Sequence, residues 1–556
     1  MSRLQGVLLG LGAGGALLLW AAFQFWGTGL VEDLYAGRTS SVWLNGLINR
    51  QDIHPLKYYQ DKAGQAVRGL SLVLAAAPLM LAGWARLGRR WPASTWNRPL
   101  VGGGLVLTGS WALAYWFEVP VFQVLPHWFW ALVPKPLPWG WLLLPLLLLA
   151  WGVLETVARN PQRSGRNLLL LVGLGFCLQH GLALAEGQGL EALRQRLLQT
   201  GHADFVHQAL ERDDWGALVG GYDRLLESGD LPYFPHATKP PGALLFFAAF
   251  AAVGEELAGP FSAVRFATWA AWLLPFLAYA AVVPLYFLAR QAMSQEEAWV
   301  PAFLFTLVPS TALMALHADQ FLYPLLGLIF VYCTVRALWA ASLVWGAAAG
   351  LAFYLATFTS FALAALGPLV PVLGMAVLLQ QGGRHSRRIL AVLAWMVVAF
   401  GAAYLLVYME FGYSAWDRFN QALAAHQAWK VGDWSVADRL YFALLNLLEF
   451  ALWCGLPLAL LALAEMAAGL RQWGCWSLQR GLSRGLLVIL VLLGIMGKTV
   501  AESGRLWLFL VPLVALAAGR QVHRLGGRQW QRTTALVGLL QFIVMVVLKC
   551  RQDFFQ

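Results

Sequence analysis

The chain is predicted to be an all-α polytopic membrane protein, and three features of its 556 residues carry that expectation. Hydrophobic residues make up 59% of it and charged residues only 12%, whereas soluble proteins carry about 25% charge. Apolar runs near 20 residues recur from end to end, each long enough to cross a hydrocarbon core of roughly 30 Å. Lys and Arg gather in the short connections between those runs. The mean hydropathy of +0.62 agrees. A net charge of +11 raises the question of nucleic acid. The cations are scattered among short loops and form no stripe, so they read as topology signals, and no nucleic-acid partner is expected.

Taken in order, the runs predict about fifteen spans: 4–26, 68–85, 99–117, 139–158, 167–186, 262–289, 298–316, 320–338, 341–356, 361–380, 388–408, 441–467, 485–497, 506–519 and 533–548. The first follows a single Arg3 and lacks a small-residue cleavage site, so it reads as a retained span and not as a signal peptide. With a cytoplasmic N-terminus, the arginine-rich connections fall on the cytoplasmic side: Arg86, Arg89, Arg90 and Arg98; Arg159, Arg163 and Arg166; Arg384, Arg387 and Arg388; Arg471, Arg480 and Arg484; Arg520, Arg524, Arg528 and Arg532. That is the positive-inside pattern, and it leaves the tail from Lys549 outside.

Three segments, 27–67, 187–261 and 409–440, are then outer loops too long to be mere turns, which is where outer-face function should sit. In the second, Leu190, Leu193, Leu197 and Leu198 share one helical face and Arg194 and Arg196 fall on another, suiting a helix in the interface. Gly201-His202-Ala203-Asp204 follows, then Pro232-Tyr233-Phe234-Pro235-His236-Ala237-Thr238-Lys239-Pro240-Pro241-Gly242. The double proline reads as a rigid corner opening a short apolar helix over 242–253, too short to span. Trp128, Trp130, Trp139 and Trp141 read as part of an interfacial aromatic belt, with sugar stacking or lipid contact as the other use of such rings. Cys177, Cys333, Cys454, Cys475 and Cys550 show neither metal spacing nor a disulfide framework. No internal repeat is evident.

Ionisable groups beside membrane spans are costly and so mark function. Mid-span positions of that kind, Glu155, Glu449 and Glu465, are few. The clearest cluster is expected at the outer face. Asp204 follows the fifth span, Asp319 lies in Leu316-His317-Ala318-Asp319-Gln320, Lys239 precedes the double proline, and Glu502 and Arg505 share the turn from Lys498 to Arg505. Two carboxylates and several cations on one face suit transfer of a sugar from a lipid phosphate. A carboxylate takes the acceptor proton, and cations hold the donor phosphate as the glycosidic bond breaks. Asp204 and Asp319 are the catalytic candidates. Lys239, Arg505, Glu502, Tyr233, His202 and His317 are the substrate-binding candidates. A divalent metal is compatible with two separated carboxylates, but without a third clear ligand they do not define a site.

From about residue 165 onward the chain resembles the GT-C glycosyltransferases, polytopic enzymes that use polyprenyl-phosphate sugars and include protein mannosyltransferases and the lipid A aminoarabinose transferase. The resemblance lies in order and sidedness: the span 167–186, the outer loop with Asp204, then Asp230-Leu231-Pro232-Tyr233 and Lys239-Pro240-Pro241, a span closing at Arg290, and a helix with Pro309 leading to Asp319. It implies a core of about eleven helices over 161–556, preceded by a four-helix extension over 1–160. It also implies a catalytic or acceptor-activating role for Asp204, an arranging or metal-binding role for Asp319, and contact of Arg505 with the lipid phosphate. The implied partners are a polyprenyl-phosphate sugar donor, a lipid, glycan or protein acceptor, and the bilayer, with the active site outside a multi-pass cell membrane protein. The first loop carries His202-Ala203-Asp204 in place of an Asp-Glu pair, which argues against protein mannosyl transfer. A lipid-linked glycan transporter and a non-catalytic envelope-assembly protein are the alternatives; the first would need charges lining a path through the spans.

Overall fold

The computed structural model describes residues 14–36, 55–61, 63–65, 67–68, 71, 97–119, 122, 125, 127–187, 189–199, 203–211, 214–231, 234–314, 320–380, 386–430, 435–472, 474–496, 499 and 502–552. Among them every regular element is a helix, with no β-strand and one isolated antiparallel bridge between Leu132 and Gln552. Among the described residues nine helices are long and apolar enough to cross a membrane, or ten if a bent pair counts as one span. The protein is thus an all-α polytopic membrane protein. The expected span 68–85, apart from residues 68 and 71, and residues 4–13 of the expected span 4–26 lie outside the described residues.

Two compact units are distinguished, residues 1–136 with 539–554, and residues 137–538. In the first, helix α1 (Asn97–Trp116) buries Trp111 and Tyr115. Arg551 stacks over the Trp116 ring at 5.0 Å and donates to the Trp116 carbonyl at 3.1 Å. The α1 run is glycine-rich and falls short of the apolarity of the nine.

The second unit carries the candidate site. Helix α2 (Ser164–Ala185) runs from the Arg163 and Arg166 connection to the 187–261 loop, and these define an arginine end and a loop end of the bundle. Within the loop lie α3 (Leu190–Leu198), α4 (Ala203–Leu210) and α5 (Gly242–Ala258). Helices α6 (Ala263–Ala280) and α7 (Val282–Ala292) run on as one apolar stretch of 30 residues back toward the arginine end.

Helix α8 (Gln295–Thr306) returns through the middle of the unit, and every residue from Ala298 to Thr306 is buried. Its start is fixed by a reciprocal cap between Ser294 and Glu297, which satisfies two orphan backbone donors. Trp299 stacks on Tyr286 at 3.9 Å and donates to the Pro161 carbonyl. The expected span 298–316 breaks after Thr306, where Pro309 cannot continue the hydrogen-bond ladder. A separate helix α9 (Pro309–Met314) begins there at the loop end.

Helix packing in lipid relies on close backbone approach, because the tails are as apolar as the side chains. Helix α10 (Leu343–Thr359) shows this against α11 (Ser386–Phe411). Gly346 and Gly350, one turn apart, face Val392 and Met396. A Cβ at Gly350 would stand 2.2 Å from the Met396 carbonyl oxygen. Likewise, Gly175 of α2 admits the Tyr279 ring of α6.

The predicted span 441–467 is two helices. After α12 (Ala415–Lys430) come α13 (Val436–Cys454) and α14 (Leu456–Arg471), bent by 117° at Gly455, whose φ of 89° suits glycine. The partners of α13 all belong to the loop end. Ala443 meets Gly494 near the close of α15 (Leu478–Met496), and Trp453 meets Gly504 of α16 (Ser503–Leu506). Helix α13 therefore lies across the bundle end, and α14 alone traverses it. At the far end of α14, Glu465 meets Arg520 and Arg524 of α17 (Val511–Gly526). Glu449 then serves the loop end of the bundle, and Glu465 is a charge within α14 that two arginines of α17 pair.

Candidate functional site

The 187–261 loop is anchored where α2 stops. Gly187 and Gly189 adopt positive φ, and the Gly189 N–H bonds back to the Ala183 carbonyl at 3.1 Å, closing the helix end in the way glycine allows. Helix α3 then lies on α6 through Ala192, Leu193, Arg196 and Leu197, all buried. The sequence places Arg196 on the polar face. The structure corrects this: only 2% of Arg196 is exposed, and its guanidinium donates to the Leu313 carbonyl in the last turn of α9. A carbonyl at a helix end lacks an intrahelical partner, so a buried arginine is a fitting cap. Burial pulls the Arg196 pKa down, and the Glu186 carboxylate counteracts it. The 192, 193, 196, 197 spacing already puts Arg196 on the buried stripe, a signal masked by expecting charge to face water.

Helix α4 packs Phe205, Val206 and Ala209 inward, which leaves Asp204 in its first turn at the edge of that core. Asp204 Oδ2 lies 2.9 Å from Nε2 of His236, a wholly buried ring, while the Asp204 side chain is 23% exposed. The His236 hydrogen bond holds the Asp204 carboxyl below its ordinary value; burial opposes this, and Gln208 and His207 assist it. The Phe205 ring sits 4.3 Å from His236 and has the Lys239 ammonium 5.4 Å from its centre. Imidazole and ammonium therefore meet one aromatic ring, and the imidazole carries the carboxylate.

The backbone of this cluster is tied down from both sides. The Tyr222 hydroxyl donates to the His236 carbonyl at 3.2 Å. Arg418 of α12, 3% exposed, donates to Asp223 and to the Ala237 carbonyl, both at 2.7 Å. The 409–440 segment is thus locked onto the 187–261 loop. Burial raises the Tyr413 hydroxyl pKa beside this junction. The Pro240-Pro241 corner does open a helix, α5, of 17 residues, longer than the dozen expected. Gly242 begins it because a Cβ there would stand 2.2 Å from the Phe358 carbonyl oxygen.

A second polar group forms at α16. Arg505 pairs with Glu502 at 3.0 Å. The Gly504 N–H donates to Glu449 Oε1 at 3.0 Å, the Ser503 hydroxyl donates to the Asn446 carbonyl at 2.7 Å, and Trp507 Nε1 donates to the Thr499 hydroxyl at 3.2 Å. The wholly buried Glu449 is thereby a structural anchor for the turn that presents Arg505.

Helix α9 connects α3 to this second group. It packs against α2, α13 and α16 and receives Arg196 from α3. Its Ser310 and Thr311 hydroxyls, and the Gln320 amide just beyond it, are buried and find no hydrogen-bond partner among the described residues. Asp204 is joined to His236, Lys239 stands over the Phe205 ring that His236 also meets, and Glu502 and Arg505 pair at α16. The sequence candidates His202, Tyr233, His317 and Asp319 lie outside the described residues. His236, Arg196, Arg418 and Glu449 are the residues sequence reasoning missed as members of the site. His236 stood in a quoted motif, but nothing in its spacing named Asp204, 32 positions earlier, as its partner. Among the described residues no group of three His, Cys, Asp or Glu side chains forms a metal site. Neither a family model, nor a curated protein, nor a solved structure matches the chain.

The Asp204–His236 bond carries a pH prediction. A carboxyl whose folded pKa lies below its ordinary 3.8 contributes stability present above that value and lost as pH falls through the folded pKa. Hydrogen exchange in α4 should therefore stay slow down to about pH 4 and accelerate below it. His236→Ala should remove the protection at neutral pH, costing about 1–3 kcal/mol for the stranded partner. Unchanged α4 exchange in that variant would show the bond to be incidental.

Proposed function

We propose that the chain is an inverting glycosyltransferase that moves a sugar from a polyprenyl-phosphate donor to a hydroxyl of a lipid, glycan or protein acceptor. The observation that carries this reading is the Asp204 carboxylate, held below its ordinary pKa by its bond to the buried His236, whose neighbouring Phe205 ring also carries Lys239. The positive-inside pattern of the arginine-rich connections supports a cytoplasmic arginine end and, with it, a reaction at the extracytoplasmic face. The acceptor oxygen attacks the anomeric carbon as the bond from that carbon to the phosphate oxygen breaks. Polyprenyl phosphate leaves with the electron pair, Asp204 takes the acceptor proton, and one attack on one face inverts the configuration. At rest Asp204 is a weak base. The negative donor phosphate brought beside it raises its pKa toward the working range.

Lys239 and Arg505 are assigned to the phosphate, where paired cations stabilise the leaving group. His236 positions Asp204, and Asp319, with or without a divalent metal, orients the donor. His202, Tyr233, His317 and Glu502 are assigned to substrate contact. The test uses membrane vesicles and a labelled polyprenyl-phosphate sugar. Release of polyprenyl phosphate should fall about 10²–10⁴-fold in Asp204→Asn. Full release in that variant overturns the assignment, and translocation of the intact donor without release would establish a transporter instead.

A further inference from the structure

Helix α12 docks through a charge. It leaves α11 at Gly412, whose φ of 69° breaks the helical path, so its seat is set by what it packs against. Among its described side chains only Arg418 and Ala422 are buried, one turn apart on a single face. Trp416 is 66% exposed, and Phe419 meets the Phe361 ring edge-on at 5.3 Å. A surface helix ordinarily docks through an apolar stripe. Here a guanidinium occupies the buried face, and the seat depends on what that guanidinium binds.

Its bonds reach the stretch that carries the partner of Asp204. Arg418 donates to Asp223 Oδ1 and to the Ala237 carbonyl, each at 2.7 Å, and charge-assisted bonds of that length are the strong kind. Tyr222, next to Asp223 on the helix Tyr222–Glu227, donates to the His236 carbonyl, which also accepts the Lys239 N–H at 3.2 Å. Two consecutive carbonyls, at 236 and 237, are thus fixed by side chains from two different helices. The turn they belong to bears His236 at its start and Lys239 at its end. With that backbone fixed, the His236 ring is aimed at Asp204, 2.9 Å away. We infer that Arg418 is a positioning residue, which from the 409–440 segment sets the turn that aims His236 at Asp204 and presents Lys239. Reacting groups need such support to stay within about 0.5 Å of their working geometry. The bearing on catalysis rests on the sugar-transfer reading; the positioning does not.

The experiment is a double-variant cycle read by hydrogen exchange in α4, on the full chain in detergent at neutral pH. The Arg418 bonds go to Asp223 and Ala237 and not to α4, so an effect on α4 has to travel through the turn. Arg418→Met should speed α4 exchange about tenfold, as His236→Ala does, and the two together should add little to His236→Ala alone. Arg418→Lys, which keeps the charge but not the fork, should fall between the Met variant and the parent. Acceleration confined to α12 and the Tyr222–Glu227 helix would overturn the inference, as would effects that multiply in the double variant. If Arg418→Met does not fold, Asp223→Asn weakens the pair and leaves the Ala237 bond; it should speed α4 exchange too, and parental exchange there overturns the inference equally. In the vesicle assay Arg418→Met should lower kcat for release of polyprenyl phosphate about 10–10²-fold with KM little changed. Coupled α4 exchange with an undiminished kcat would uphold the positioning and overturn the sugar-transfer reading instead.

Discussion

Glu465→Leu is expected to destabilise the arginine end by about 3–5 kcal/mol, the cost of removing one partner from a buried ion pair and stranding the other. The Glu465 side chain is 2% exposed and holds two arginines, of which Arg520 is 14% exposed and Arg524 41%. Arg524 can swing into water, so the loss falls on Arg520, fixed on α17. Glu465→Gln should cost less, since the amide oxygen still accepts one hydrogen bond. The check is the rate of irreversible thermal inactivation, because unfolding of a long multi-span chain is not a two-state equilibrium. Inactivation of the Leu variant at the parent's rate would show that the pair contributes nothing.

Gly350→Val should produce a comparable loss by a different route. Even the first added carbon would stand 2.2 Å from the Met396 carbonyl oxygen and 2.9 Å from Ala399 Cβ. A backbone cannot yield as a flexible side chain does, so α10 and α11 must separate and the contacts along both helices weaken together. Overpacking of this kind costs typically 1–3 kcal/mol, and more where backbone is displaced. Gly401→Val, on α11 where nothing lies within 4 Å of an added Cβ, should be nearly neutral. Equal inactivation rates for the two variants would show that the close approach at Gly350 is not what holds the pair.

How much of this was legible in the residues depended on the physics at each place. The spans 139–158, 167–186, 320–338, 361–380 and 388–408 read almost as the structure has them, because an unbroken apolar run of span length declares itself by apolarity alone. The span 441–467 misled because Gly455 interrupts an otherwise continuous apolar run. A single glycine at positive φ redirects the chain without altering its hydropathy. Asp204 and Lys239 were legible as ionisable groups beside spans, and Arg505 as a late loop cation. Arg196, His236 and Arg418 were not, since their roles rest on partners between 32 and 195 positions away. One chain shows no sign of such pairings until it is folded.

The bend at Gly455 has a consequence for the bilayer itself. With α13 lying across the bundle end, the traverse is left to the 16 residues of α14, which at 1.5 Å each reach about 24 Å. A hydrocarbon core averages about 30 Å. Lipids bordering this face must therefore compress or shorten, and mismatch of that size sorts proteins between membranes of different thickness. Reconstitution into bilayers of increasing acyl length should find the protein best accommodated in the thinner ones.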